Sequence, residues 1–432
     1  MTDLTGRVVG IWGLGKEGLS MARTAAAHGA ARIVAVDDRA GEPVDTGIGG
    51  LSVHYGAESV PLLGETDIVF VSPGVPWRNP LFEELRRSGP PVSSAADWYL
   101  AAHGARTIGV TGTKGKSTTA AFLAHLLAGL GVPAVAAGNI GTPLSDLTAP
   151  DRAPHDGQWV VAELSSQQCA LLRTSPAVAV ITNLYQDHLD FHGDIPNYYA
   201  AKARIFEHGA RVLITTPEVV AALDRIGITD LPPVRLVHPS EARVPLSGGV
   251  MSYEHNVANA ALAALAAAEV LGRPVTDAEI DHAAGTFAGL PHRLQTVRTT
   301  GGIRWVDDTL ATTGESVVAA LRAMPAGAAV ALIVGGMDRG LDYRGLDDYL
   351  CSGARRVTLI QGPSNGALIG TRFAQEHADR THPVDSLEAA VAAAAGLGGI
   401  DIVLLSPGAA SYDTYRNYEA KAAAFCGYID TL

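Results

Sequence analysis

Seven consecutive residues, Gly112-Thr113-Lys114-Gly115-Lys116-Ser117-Thr118, have the types needed to hold a row of phosphates. Glycines let backbone N–H groups turn toward phosphate oxygens. Lys116 reaches the terminal phosphates, and Ser117 offers a hydroxyl to a magnesium ion. The run follows an apolar stretch at 108–110 and opens an Ala/Leu-rich stretch at 117–130. A strand therefore delivers the loop, and a helix N-terminus adds positive potential beneath it. Gly109 lies one residue further from Gly115 than the usual phosphate-loop spacing asks.

A second turn, Gly13-Leu14-Gly15-Lys16-Glu17-Gly18, follows the apolar stretch 7–12 and has Asp37 and Asp38 about twenty residues on. That pattern holds a diphosphate or a dinucleotide at a helix N-terminus. The same glycines also serve a tight turn and close helix–strand packing, so both readings stay open. A third group combines Glu163-Leu164-Ser165-Ser166 with Asn183-Leu184-Tyr185-Gln186-Asp187-His188-Leu189-Asp190, each after a strand-like run. Strand C-termini of an open α/β sheet face the ligand crevice. There the Glu163 carboxylate and the His188 imidazole are placed to share divalent ions with a nucleotide. Alone, the first would be read as a surface residue and the second as a satisfied loop histidine.

These loops need a scaffold of alternating strands and helices. Strands are expected at 7–12, 32–37 and 68–72, with a helix at 19–28. Further strands are expected at 108–110, 159–163, 178–183 and 211–215, then an irregular crossing at 231–249 and a helix at 255–271. A last set fits 304–307, 329–334, 357–360 and 402–406. Alternation of this kind implies parallel βαβ units. The fold class is α/β, as three consecutive domains at 1–104, 105–293 and 294–432, the middle one carrying the phosphate loop and the outer two Rossmann-like.

Composition limits the partners. The 432 residues are 47% hydrophobic, enough for several cores, and no apolar run is long enough for a membrane span. A formal net charge of -12 argues against wrapping a nucleic acid, while leaving anionic small molecules to local lysines and backbone N–H groups. Three scattered cysteines give no disulfide framework or CxxC metal site. With no signal-peptide core at the N-terminus, a reducing cytoplasm is the expected location.

The phosphate loop, Gly138-Asn139-Ile140-Gly141, Glu163-Leu164-Ser165-Ser166, Asp187-His188-Leu189-Asp190, Ala201-Lys202-Ala203-Arg204, His255-Asn256-Val257-Ala258-Asn259 and Leu290-Pro291-His292-Arg293 occur in that order. In this the whole chain resembles the Mur ligases, ATP-dependent amide-forming enzymes of peptidoglycan precursor synthesis. Ser406-Pro407-Gly408-Ala409-Ala410-Ser411, with Asp413 and Asn417 after it, is similar to the branch that adds glutamate to UDP-N-acetylmuramoyl-L-alanine. The resemblance implies a UDP site at Gly15, Lys16, Glu17, Asp37, Asp38, Arg39, Ser72, Pro73 and Gly74, with Asn139 and Ser165 touching the substrate. It implies an ATP site at residues 112–118 with Asn259, Arg293 and Asp308. Ser117 and Glu163 would hold one magnesium, and His188 a second, beside a carbamylated Lys202. Lys116, Asn139, His188 and Lys202 would be the catalytic set, in a monomer working on ATP, glutamate and the UDP substrate.

Three positions depart from the D-glutamate-adding pattern. That pattern has Asp-Ser-Lys-Ala-Thr-Asn where this chain has Asp308-Thr309-Leu310-Ala311-Thr312-Thr313, so a lysine is replaced by Leu310. Arg339 stands for a second lysine and Tyr418 for a phenylalanine. A guanidinium presents a planar fork and is not equivalent to an ammonium. With Thr312, Arg339, Ser411 and Tyr418 around the amino acid, L-glutamate is the expected substrate. D-glutamate is the alternative within the family. Outside it stand an NAD-dependent dehydrogenase using the first turn, which leaves the phosphate loop idle, and a nucleotide-binding module without turnover, which leaves Glu163, His188 and Lys202 idle.

Overall fold

A computed structural model describes residues 2–39, 46–76, 78–149, 153–155, 157–238, 246 and 250–432. Among the described residues three sheets account for the strands. The first contains β1 (Val8–Trp12), β2 (Arg32–Asp37), β3 (Leu51–Tyr55), β4 (Ile68–Val71) and β5 (Val92–Ser93) in the order β3-β2-β1-β4-β5, all parallel. The second contains β6 (Thr107–Thr111), β7 (Ala134–Gly138), β8 (Trp159–Glu163), β9 (Val178–Ile181), β10 (Val212–Thr215) and β11 (Val234–Leu236). Its order is β11-β10-β9-β6-β8-β7, again all parallel. The strands are apolar along their length because helices cover both faces. In β1, β8 and β9 every residue but the first of β1 and of β8 is buried.

The third sheet contains β12 (Gln295–Thr300), β13 (Ile303–Asp307), β14 (Ala329–Val334), β15 (Arg356–Gln361), β16 (Thr381–Pro383) and β17 (Ile402–Leu405). The order is β12-β13-β17-β14-β15-β16. Only β12 runs antiparallel to its neighbour, as an edge ribbon on β13. The strand that comes last in sequence, β17, lies in the interior between β13 and β14.

Two compact units result: residues 1–252 with 256–287, and residues 253–255 with 288–432. The first unit holds the first two sheets and the second unit the third. Of the irregular crossing expected over 231–249, residues 239–245 and 247–249 lie outside the described residues, and β11 occupies part of the remainder. Among the described residues no helix is long and apolar enough to cross a membrane. The three cysteines are free thiols.

Candidate functional site

The first sheet reverses its winding between β1 and β4, and that switch point is where an α/β sheet opens a crevice. Gly13 (φ +90°) ends β1, and its carbonyl accepts from Ser72 Oγ at 2.7 Å at the end of β4. A Cβ on Gly18 would stand 1.9 Å from the Gly13 carbonyl, so packing alone demands glycine there. Gly15 and Gly74 differ: a Cβ on either would meet nothing within 4 Å. Their bareness leaves the mouth open beside the helix Lys16–Ala27, whose N-cap, Gly15, supplies no side-chain hydrogen bond. The orphan N–H groups of that first turn suit an anion.

Asp37, at the end of β2, accepts from Leu14 N at 3.1 Å and from Arg39 Nε and Nη2, both at 2.9 Å. The Arg39 bonds are the main reason its carboxyl falls to about 2. Asp38 accepts from Asn79 Nδ2 at 3.3 Å, and Pro73 follows Ser72 at the lip. Lys16 Nζ donates to the Gly141 carbonyl at 2.6 Å. Glu17 accepts from Gln168 Nε2, and burial pushes its carboxyl up to about 7. Gln168 in turn closes a capping box with Ser165, its Oε1 accepting from Ser165 N at 2.7 Å and its N donating to Ser165 Oγ at 3.1 Å. The first glycine-led turn is therefore joined, side chain to side chain, to the short helix Ser166–Cys169 that follows β8.

In the second sheet the switch point lies between β6 and β8. The phosphate loop leaves β6 there. Gly112 (φ +143°) and Gly115 (φ +81°) both take backbone conformations that favour glycine. The loop is tied to the end of β9. Thr113 N donates to the Asn183 carbonyl at 3.0 Å, Lys114 N to Asn183 Oδ1 at 2.9 Å, and Thr182 Oγ1 to the Lys114 carbonyl at 2.6 Å. Lys116 opens the helix Lys116–Gly129 and folds back to donate to the Thr113 carbonyl at 3.0 Å. Ser117 and Thr118 follow in the first turn, half-buried. Asn259, on the helix Glu254–Leu271, lies against the loop: a Cβ on Gly115 would sit 2.5 Å from its Oδ1.

Glu163 ends β8 with 1% exposure. Its Oε1 accepts from Asn139 Nδ2 at 3.1 Å, while its buried Oε2 has no hydrogen-bond partner among the described residues. A buried carboxylate oxygen without a donor is costly, and a divalent cation or its water would satisfy it. Lys202, on the helix Ile195–Glu207, is also 1% exposed. Its Nζ donates to the Gly112 carbonyl at 2.7 Å, and burial, reinforced by Lys116, lowers its ammonium to about 7. His188 takes a left-handed φ of +49° and presents a half-exposed ring, its Nε2 3.8 Å from Asp187 Oδ2. Among the described residues no three His, Cys, Asp or Glu side chains gather in one place. Magnesium here would draw its remaining ligands from Ser117, phosphate oxygens and water, the habit of an ion that keeps much of its hydration.

The second unit collects its residues at strand ends too. Asp308 follows β13, accepting from Ser406 Oγ at 2.8 Å and Leu294 N at 3.2 Å. Burial raises its carboxyl to about 7, against the nearby charge of Arg293. Residues 335–337 run beside 407–410: Gly335 N donates to the Pro407 carbonyl at 2.9 Å and Met337 N to the Ala410 carbonyl at 2.7 Å. That pairing sets Met337, two residues before the exposed Arg339, beside Ala410 and hence beside Ser411, whose buried Oγ has no partner among the described residues. Gly408 N donates to the Ala311 carbonyl at 2.9 Å, drawing in Thr312 as the next residue. The Tyr418 ring meets His292 edge-on at 5.4 Å.

Sequence reasoning missed Gln168, Thr182, Tyr198 and Lys421. The Ser165-x-x-Gln168 spacing is a capping-box signal and would have found the first. Tyr198 OH, 3.2 Å from Thr113 Oγ1, and Lys421 Nζ, 2.6 Å from the Gly335 carbonyl, announce themselves only in three dimensions.

Three family models match the chain in series: "Mur ligase MurD-like, N-terminal domain" over 7–94, "Mur ligase middle domain" over 110–219, and "Mur ligase, glutamate ligase domain" over 292–408. A UDP-N-acetylmuramoyl-L-alanine–L-glutamate ligase of a Micromonospora species is 39% identical, with 98% of this chain and 97% of the relative covered. A UDP-N-acetylmuramoylalanine–D-glutamate ligase of Sphingopyxis alaskensis is 34% identical over 99% and 98%. Among solved structures, MurC of Thermotoga maritima matches with a TM-score of 0.60 at 19% identity, covering 98% of this chain and 99% of that one, and so shares the fold. With three family models in order and relatives of this identity along its length, the chain belongs to the Mur ligase family.

Proposed function

We propose that the chain joins glutamate to UDP-N-acetylmuramoyl-L-alanine at the expense of ATP, in the cytoplasm and as a monomer. Residues 1–104 hold the UDP moiety, 105–293 the ATP, and 294–432 the amino acid. The observation that carries the reading is the phosphate loop set beside two fully buried ionisable groups, Glu163 and Lys202. A nucleotide-binding module without chemistry needs neither, and a dehydrogenase leaves the loop without a task.

The loop N–H groups and Lys116 hold the phosphates of ATP. The alanyl carboxylate attacks the terminal phosphorus, the bond to the bridging oxygen breaks, and ADP leaves. The glutamate amine then attacks the acyl carbon, loses a proton, and expels phosphate with the electrons of the C–O bond. Magnesium bound at Ser117 and Glu163, with a second ion at His188 and a carbamylated Lys202, would neutralise charge on the phosphoryl oxygens. Asn139, held by Glu163, faces the substrate carboxylate, and Ser165 holds the sugar side. Asn259, Arg293 and Asp308 complete the nucleotide site.

L-glutamate is the favoured enantiomer. Leu310 offers no cation, and Arg339, Thr312, Ser411 and Tyr418 offer donors from other directions. The two relatives named L-glutamate ligases, at 39% and 38% identity, stand above the D-glutamate ligases at 32–35%, which supports this reading. The test is phosphate release from ATP with UDP-N-acetylmuramoyl-L-alanine and either enantiomer. A higher kcat/KM for D-glutamate overturns the stereochemistry, and no release with either overturns the reaction.

A further inference from the structure

One buried cation of the second unit has no task so far. Lys421 lies in the first turn of the helix Tyr418–Ile429, 6% exposed. Its Nζ donates to the Gly335 carbonyl at 2.6 Å. Among the described residues it has no carboxylate within ion-pair distance, although a buried ammonium without a counter-charge is costly. The carbonyl it holds is not an arbitrary one. Gly335 ends β14 with φ +122°, and its N–H is fixed on Pro407. Gly336 N donates to Asn365 Oδ1 at 2.9 Å, and Met337 N to Ala410. Arg339 stands two residues beyond. The ammonium thus clamps the base of the loop that carries Arg339, where that loop meets the one ending in Ser411.

Resting on the proposed glutamate site, we infer that Lys421 is a positioning residue for the amino-acid substrate. It fixes the loop of Arg339 and Ser411, and it supplies beneath them the positive charge that Leu310 does not. A dicarboxylate bound there would be the anion that the buried ammonium lacks. Burial lowers the Lys421 ammonium to about 8, so the clamp loses its charge in mildly alkaline solution. The charged groups on the neighbouring segments are Asp413 and Arg416 ahead of the helix, Glu419 on it, and Asp338 and Arg339 beyond Gly336. Asp413 is the one that shifts it, toward the charged form.

The test measures KM for glutamate and for ATP in the full-length enzyme and in Lys421→Met, which keeps the unbranched apolar stem and removes the charged end. The expected result is a rise of about tenfold or more in KM for glutamate with KM for ATP within about twofold. An equal rise in both, or none, overturns the inference. Should Lys421→Met fail to fold, the wild-type enzyme still decides. Glutarate, a dicarboxylate with no amine to titrate, should inhibit competitively with glutamate and weaken about tenfold as pH rises from about 7 to about 9. A glutarate inhibition constant flat across that range sinks the proposal. Absence of glutamate-dependent turnover in the wild type would instead count against the ligase reading itself.

Discussion

Replacing Gly115 by alanine places a methyl group where two costs add. The backbone there has φ +81°, and an L-residue in the left-handed region loses about 1–2 kcal/mol relative to glycine. The new Cβ would also lie 2.5 Å from Asn259 Oδ1, a distance no real pair tolerates. Asn259 must swing away, and its Nδ2 then gives up the 3.0 Å bond to Asn256 Oδ1, worth about 1 kcal/mol net. The sum is about 2–3 kcal/mol, or roughly 3–5 °C of melting temperature for a unit of this size. KM for ATP should rise with it, since both the loop and Asn259 are displaced. Gly129→Ala is the matched control on the same helix. It is the last helical residue, its Cβ would meet nothing within 4 Å, and it should gain about 0.5–1 kcal/mol. Thermal melting of both variants, with ATP kinetics, gives the answer. Gly115→Ala melting with the wild type and keeping its KM for ATP would refute the loop geometry described above.

Lys116→Ala should abolish phosphate release and leave the melting temperature within a few degrees, because its half-buried ammonium serves the phosphates more than the fold; turnover near wild type would remove it from the site. Lys202→Ala should be nearly inactive, with partial rescue by added short-chain carboxylates if a carbamate is the working anion; an unmodified amine by mass measurement, together with failed rescue, argues for a plain cation. Leu310→Lys should lower use of L-glutamate, and unchanged kinetics with both enantiomers would place Leu310 outside the pocket. Asp308 supplies a pH prediction. Its folded value of about 7 exceeds the ordinary 3.8, so its contribution favours the fold at low pH and is lost as pH rises through about 7. Asp308→Asn should therefore lose activity yet gain stability at pH 8, by up to about 4 kcal/mol; urea melts at pH 5 and pH 8 that shift in parallel with the wild type would contradict this.

Interior strands were legible in the sequence because burial on both faces leaves an unbroken apolar run. β2, β8 and β14 fall at the expected residues, and β1, β9 and β17 end within one or two of them. The missed strands β3, β5, β7, β11, β12 and β16 lie at sheet edges, where mixed composition is tolerated, as in Leu51–Tyr55 or Gln295–Thr300. Both glycine-led helices begin at the lysine that follows the N-cap glycine, Gly15 or Gly115, so Lys16 and Lys116 are helical residues and not loop residues. The residues that gather at the strand ends, Glu163 and Asp308 among them, were named from type and context. Pairings such as Glu17 with Gln168, or Lys421 with Gly335, were not, since the partners are 151 and 86 residues apart and only the fold joins them.

The interior place of β17 bears on how the protein is made. A ribosome delivers β13 and β14 long before residues 402–405, and until then the edges that β17 will pair with stay open. Unpaired parallel edges invite pairing with other chains, and connections between distant strands form slowly. The first unit is complete in sequence at residue 287, so its two sheets are all delivered while the rest is still being synthesised. A nascent chain stalled before residue 402 would then carry one finished unit and a third sheet split down its middle, the form most exposed to proteases and to aggregation.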